Sequence, residues 1–172
     1  MSSGQLNDSD HTQVVIRLAT ASDADLLAHF RYTFRASIAA ANENREAFVQ
    51  RCSLWMRERL QENSQWHCWI AELDQIPVGH LWLQRIEKIP NPTAEPEYHA
   101  YITNVFVKEE VRGKGIGGML LRAALEVCRA QNVDAVILWP TQHSRTLYLR
   151  HGFAVRDDLL ELVLADEKQS GN

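Results

Sequence analysis

The chain of 172 residues carries 18 basic and 22 acidic side chains, a formal charge of −4, and is 45% hydrophobic and 23% charged. That length suits one domain around a single core, and the balance excludes disordered, collagen-like and fibrous classes as well as nucleic-acid binding through bulk charge. No apolar run approaches the ~20 residues that cross a bilayer, and Met1 to Gln13 lacks the regions of a signal peptide, so a cytoplasmic protein without a membrane partner is expected.

Residues 1–12 and 166–172 are polar and are expected to be flexible tails around one domain at 13–165. Val14, Ile16 and Leu18 alternate with polar residues as a half-buried strand does. Ser22-x-x-Asp25 then offers a capping-box start for a helix from about Ser22 to Ala40. Phe48, Cys52, Trp55, Met56 and Leu60 line one face of a second helix. Trp66 to Leu73 and Ile76 to Ile86 flank Asp74-Gln75 and predict a strand hairpin, with Gly79 marking a bulge or a close approach. Glu87 to Glu97, with Pro90, Pro92 and Pro96, reads as a stiff connection. His99 to Val107 reads as a strand, Gly117 to Gln131 as a helix, and Asp134 to Trp139 as a strand. His143 to Arg150 forms a short helix and Phe153 to Leu164 a last strand. The result is an α+β (mixed α/β) single domain, its mixed central sheet flanked by helices, antiparallel in the first half and β-α-β in the second. Cys52, Cys68 and Cys128 have no C-x-x-C spacing and suggest packing, not a disulfide framework or a zinc site.

The stretch from Val105 to Gly118 sits between a strand and a helix, where an anion site belongs. Glycines let a backbone approach a ligand, and the free N–H groups of a first helical turn receive a pyrophosphate. No Gly-Lys is followed by Ser or Thr, so this is not a Walker A loop. Gly113-x-Gly115-x-x-Gly118 matches the dinucleotide fingerprint in letters. However, Lys108 to Arg112 separate it from the strand, and the next strand ends in Trp139-Pro140 without a carboxylate for a ribose. The other parse is Arg112-x-x-Gly115-x-Gly117.

That parse resembles the acetyl-CoA pyrophosphate loop of the GCN5-related N-acetyltransferase (GNAT) superfamily, Arg/Gln-x-x-Gly-x-Gly/Ala. The strand Tyr101 to Val107, the run Glu110 to Gly117, the helix from Met119, and Leu147-Tyr148-x-x-x-Gly152-Phe153 are similar to the family's central segments. Ile16 to Thr20 with Asp23 to Asp25 is similar to its start. The resemblance implies acetyl-CoA as co-substrate, lying in the cleft between two splayed parallel strands. Val105, Phe106 and Val107 would supply strand backbone groups. Arg112, Gly113, Lys114, Gly115, Ile116, Gly117 and Gly118 would cradle the pyrophosphate, and Thr141 and Ser144 would stand beside the pantetheine arm, where relatives often have Asn and Ala.

The implied reaction is acetyl transfer to a primary amine, expected to be that of a small molecule, by direct attack in a ternary complex. Tyr148 corresponds to the family's proton donor, and a phenol is protonated at neutral pH. Thr103 takes the place of the usual Glu and cannot remove a proton from an ammonium. Glu97 and His99, at the start of that strand, are the candidate bases. The alternatives are a non-catalytic acyl-CoA-binding sensor, a protein N-acetyltransferase and, more distantly, an NAD enzyme. By analogy with the family a homodimer is open. His143 and His151 share a short helix, but no third metal ligand lies nearby in sequence. Trp55 and Trp82 are candidate linings of an acceptor pocket.

Overall fold

The computed structural model describes residues 13–164, so the two expected tails lie outside the described residues. Asp74 and Gln75 have φ of 50° and 66°, the pair of left-handed conformations that closes a tight hairpin with the right twist. They join β2 (Trp66–Leu73) to β3 (Ile76–Glu87), as the strand-like runs on either side predict. β1 (Val14–Leu18) pairs with β2, and β4 (Tyr98–Val107) with β3, all antiparallel. β5 (Ala135–Ile137) closes the order β1-β2-β3-β4-β5 and runs parallel to β4.

Helices cover both faces of the sheet. On one lie α1 (Ala24–Ala36) and α2 (Arg45–Arg59), packed with Cys68, Ile70 and Trp82. On the other, α3 (Ile116–Ala130) buries Ile116, Leu120, Leu121 and Ala124 against Ala71, Leu81, Leu83, Ala100 and Ile102, and Tyr148 of α4 (Arg145–Arg150) joins that cluster. β3 lies mid-sheet beneath helices on both sides, which is why Val78 to Leu83 is an unbroken buried run rather than an alternating one. Gly79 is a close approach, because a Cβ there would stand 2.6 Å from the Phe106 carbonyl oxygen. The ladder with β2 slips at that point.

Four expectations need correction. The capping box belongs to Thr20 and Asp23, not Ser22 and Asp25. Asp23 accepts from the Thr20 N–H at 2.8 Å while gripping the Arg17 guanidinium at 2.8 and 2.9 Å, so a tertiary ion pair decides the start. The helix also stops at Ala36, four residues early. Phe153 to Leu164 forms no strand, and Leu160, Leu162 and Leu164 are exposed. Its apolar alternation defines a face but supplies no partner. Trp82 is 2% exposed and belongs to the core.

Candidate active site

β4 and β5 pair only over His99 to Tyr101 with Ala135 to Ile137. β5 then ends, while β4 continues to Val107, so Ile102 to Val107 have no neighbour on the β5 side. Lys108 donates its N–H to Val78 of β3 at 2.8 Å. Backbone groups alternate along a strand, so Val105 and Val107 turn theirs the other way, toward the gap. The Val107 carbonyl already accepts from Arg112 Nε at 3.0 Å, which ties the turn to the strand end. Phe106 does not face the gap. Its ring packs on Phe30, Phe34 and His80 across the sheet.

At the end of the gap lies the glycine turn. Gly113 and Gly115 have φ of 80° and 78°, a conformation L side chains rarely adopt. Gly115 is the N-cap of α3 and brings no capping side chain. Met119 makes the first bond, to the Gly115 carbonyl at 3.1 Å, so the N–H groups of Ile116, Gly117 and Gly118 have no intrahelical acceptor. No acidic residue stands in that first turn. Dipole and donors point the same way, and together they favour negative charge at this end of the helix. Arg112 and Lys114 are exposed beside it.

α4 lies against this turn. A Cβ on Gly117 would stand 3.3 Å from Leu147 Cδ2, and one on Gly118 3.2 Å from the His151 ring. This packing sets Tyr148 next to α3. Tyr148 is 7% exposed with Phe153 edge-on at 5.7 Å, and burial raises its phenol above the ordinary value, Ser144 pulling the other way. The proton therefore stays on the oxygen at neutral pH. Thr141 and Ser144 are bonded to one another, Thr141 N–H to Ser144 Oγ at 3.0 Å and the two hydroxyls at 2.9 Å, and together they start α4.

The structure does not bring Glu97 and His99 to this gap. Both lie at the opposite end of β4, where His99 pairs with Ile86 and Ala135 and its Nδ1 stands 3.8 Å from Asp134. Val105 lies six positions beyond His99, about 20 Å along the strand. Glu97 is exposed, and its carbonyl accepts from Lys88 N–H. Thr103 stands opposite Trp82, on the α1–α2 side. The next residue, Asn104, has φ 51° where the ladder to β3 slips, and its Oδ1 accepts from Arg31 Nη1 at 3.1 Å. His80, opposite Phe106, is fully buried with no hydrogen-bond partner on either nitrogen. Burial lowers it to about 3, partly offset by nearby Asn104, so it is neutral and sealed from substrate.

Two residues went unread in the sequence. Trp139 is 55% exposed at the end of β5, edge-on to Tyr101 at 5.1 Å, at the mouth of the gap. Arg31 carries no local motif, although Arg31 and Arg35 fall one helical turn apart with no acid at either one's i±3 or i±4 position. Trp55 packs on Trp66 and Trp82 and lies away from the gap. No group of three metal-ligating side chains occurs among the described residues, and no helix among them is long and apolar enough to cross a membrane.

The sequence model described as "Acetyltransferase (GNAT) family" matches residues 37–153, more than half of the chain. No curated protein matches the sequence. Among solved structures, a predicted acetyltransferase from Clostridium acetobutylicum with acetyl-CoA is similar at a TM-score of 0.73 and 23% identity, over 88% of this chain and 97% of its own. A GCN5-related N-acetyltransferase from Ralstonia eutropha gives 0.68 and 21%, over 89% and 100%. A ribosomal-protein-alanine N-acetyltransferase from Brucella melitensis gives 0.65 and 19%, over 90% and 99%.

Proposed function

The chain belongs to the acetyltransferase (GNAT) family, and from that premise we propose that it moves the acetyl group of acetyl-CoA to the primary amine of a small molecule, by direct attack in a ternary complex. One observation carries this reading. The unpaired β4 edge, the left-handed glycines and the open N-terminus of α3 lie in a row beside a buried, protonated Tyr148. The donor set suits a pyrophosphate, and a Cβ at Gly113 or Gly115 would meet nothing within 4 Å.

Acetyl-CoA, when bound, supplies a thioester whose carbonyl an amine attacks. Ile116, Gly117 and Gly118 N–H groups bind the pyrophosphate, and Val105 and Val107 orient the arm along the strand edge. The Val105 N–H, on the gap side of β4, would donate to a carbonyl oxygen as it gathers charge. Tyr148 holds the proton that a leaving thiolate takes up. The amine's own proton leaves to water, since Thr103 cannot accept it and Glu97 and His99 stand too far away.

That missing base supports a second reading, a binding module that senses acyl-CoA without turnover. A free-thiol assay over a panel of amines separates the two. The transferase releases CoA in proportion to acceptor, whereas a sensor releases none while still binding acetyl-CoA.

A further inference from the structure

The groove between α1 and α2 is lined by Arg31, Arg35 and Arg51 with only Glu43 to oppose them, in a chain that is acidic overall. Glu43 is already committed to Arg51, at 2.6 and 3.3 Å. Arg31 and Arg35 lie one turn apart on α1, and neither pairs with a carboxylate among the described residues. Arg31 uses one of its five N–H donors, on Asn104, and is half-buried. Burial first, and the Arg35 charge next, weaken its hold on its proton. Keeping two like charges together at the edge of a core is unfavourable unless something of opposite charge joins them.

Arg31 is also where that groove meets the slip in β4, one residue from Thr103. We infer that the amine acceptor carries an anionic oxygen group, a carboxylate or a phosphate, and that Arg31 with Arg35 binds it and selects the acceptor. A planar guanidinium fits either oxyanion with two parallel bonds. A purely cationic amine fits poorly, because the arginine pair repels an ammonium. A zwitterionic acceptor brings the missing counter-charge, and the field around Arg31 favours the neutral form of its amine, which lessens the need for a base at Thr103.

This inference rests on the transferase reading, and its test separates the two. CoA release is measured with β-alanine against β-alaninamide and with 2-aminoethyl phosphate against 2-aminoethanol, using wild type, Arg31→Gln and Arg35→Gln. The acid-bearing member of at least one pair is expected to exceed its acid-free twin by about tenfold or more in kcat/KM, and Arg31→Gln to collapse that ratio through KM. Whichever pair shows the preference distinguishes carboxylate from phosphate. Equal or better use of both acid-free amines overturns the inference, as does a ratio unchanged in both variants. Retained stabilisation by acetyl-CoA shows that the variants are folded. If wild type releases no CoA with any amine, the transferase reading fails, and calorimetry of inorganic phosphate and acetate with the CoA-saturated protein still reads the arginine site. Binding of either that Arg31→Gln abolishes supports the site, and no binding of either to wild type overturns it.

Discussion

Gly118 lies directly beneath His151, so close that a Cβ on the glycine would stand 3.2 Å from two atoms of the imidazole. His151 is held by its Nδ1 on the Leu147 carbonyl at 2.8 Å, and the same helical turn carries Tyr148. The glycine turn and Tyr148 are therefore positioned by one contact. Gly118→Ala is expected to cost about 1 kcal/mol and lower the melting temperature, because the ring must give way in a packed site. In the His151→Ala background the same change is expected to cost less. A double-mutant cycle by thermal or urea melting checks it, with additivity as the contrary result.

Gly115→Ala finds open space but keeps a φ of 78°, so the penalty is conformational and amounts to about 1 to 2 kcal/mol. Gly115→Asn is expected to lose less, since asparagine tolerates the left-handed region. Chemical denaturation of both variants without ligand measures this difference, and equal losses would contradict a left-handed N-cap.

Tyr148→Phe keeps the ring against Phe153 and removes only the hydroxyl. A fall in kcat of about 100-fold or more, with acetyl-CoA binding retained, is expected of a proton donor. An unchanged kcat at all pH values would leave Tyr148 as packing alone.

His80 makes stability fall in mild acid. Its value is about 3 in the fold against 6.5 unfolded, so as pH drops the unfolded chain takes up the proton first. The stabilisation is complete above about pH 6.5 and declines below it, by about 1.4 kcal/mol per pH unit until the folded value is reached. Urea melts from pH 7 to 4.5 are expected to show a shallower slope for His80→Leu than for wild type. Parallel slopes would contradict the buried neutral ring.

What was legible in the sequence was local. The Asp74-Gln75 turn, the α3 periodicity and the glycine spacing each state their own geometry, because backbone sterics and side-chain period decide them. The start of α1 was misplaced by two residues because Arg17 chooses Asp23, a contact between a strand and a turn. Phe153 to Leu164 alternates like a strand, yet pairing requires an edge, and β5 contributes just three residues. Glu97 and His99 looked near the reaction because they begin the right strand, but a strand's two ends are far apart. Arg31 was hidden because its meaning depends on Asn104, 73 residues away.

The proposed reaction depends on binding of the acetyl-CoA pyrophosphate by the Arg112 to Gly118 turn. Thermal melts of wild type and Gly115→Asp with acetyl-CoA, CoA and NAD in parallel test it most directly, because a ligand that binds only the folded state must raise the midpoint. Stabilisation of wild type by acetyl-CoA and CoA but not NAD, lost in Gly115→Asp, is the predicted result. No shift with either form of coenzyme A at millimolar concentration, or an equal shift in the variant, would contradict it.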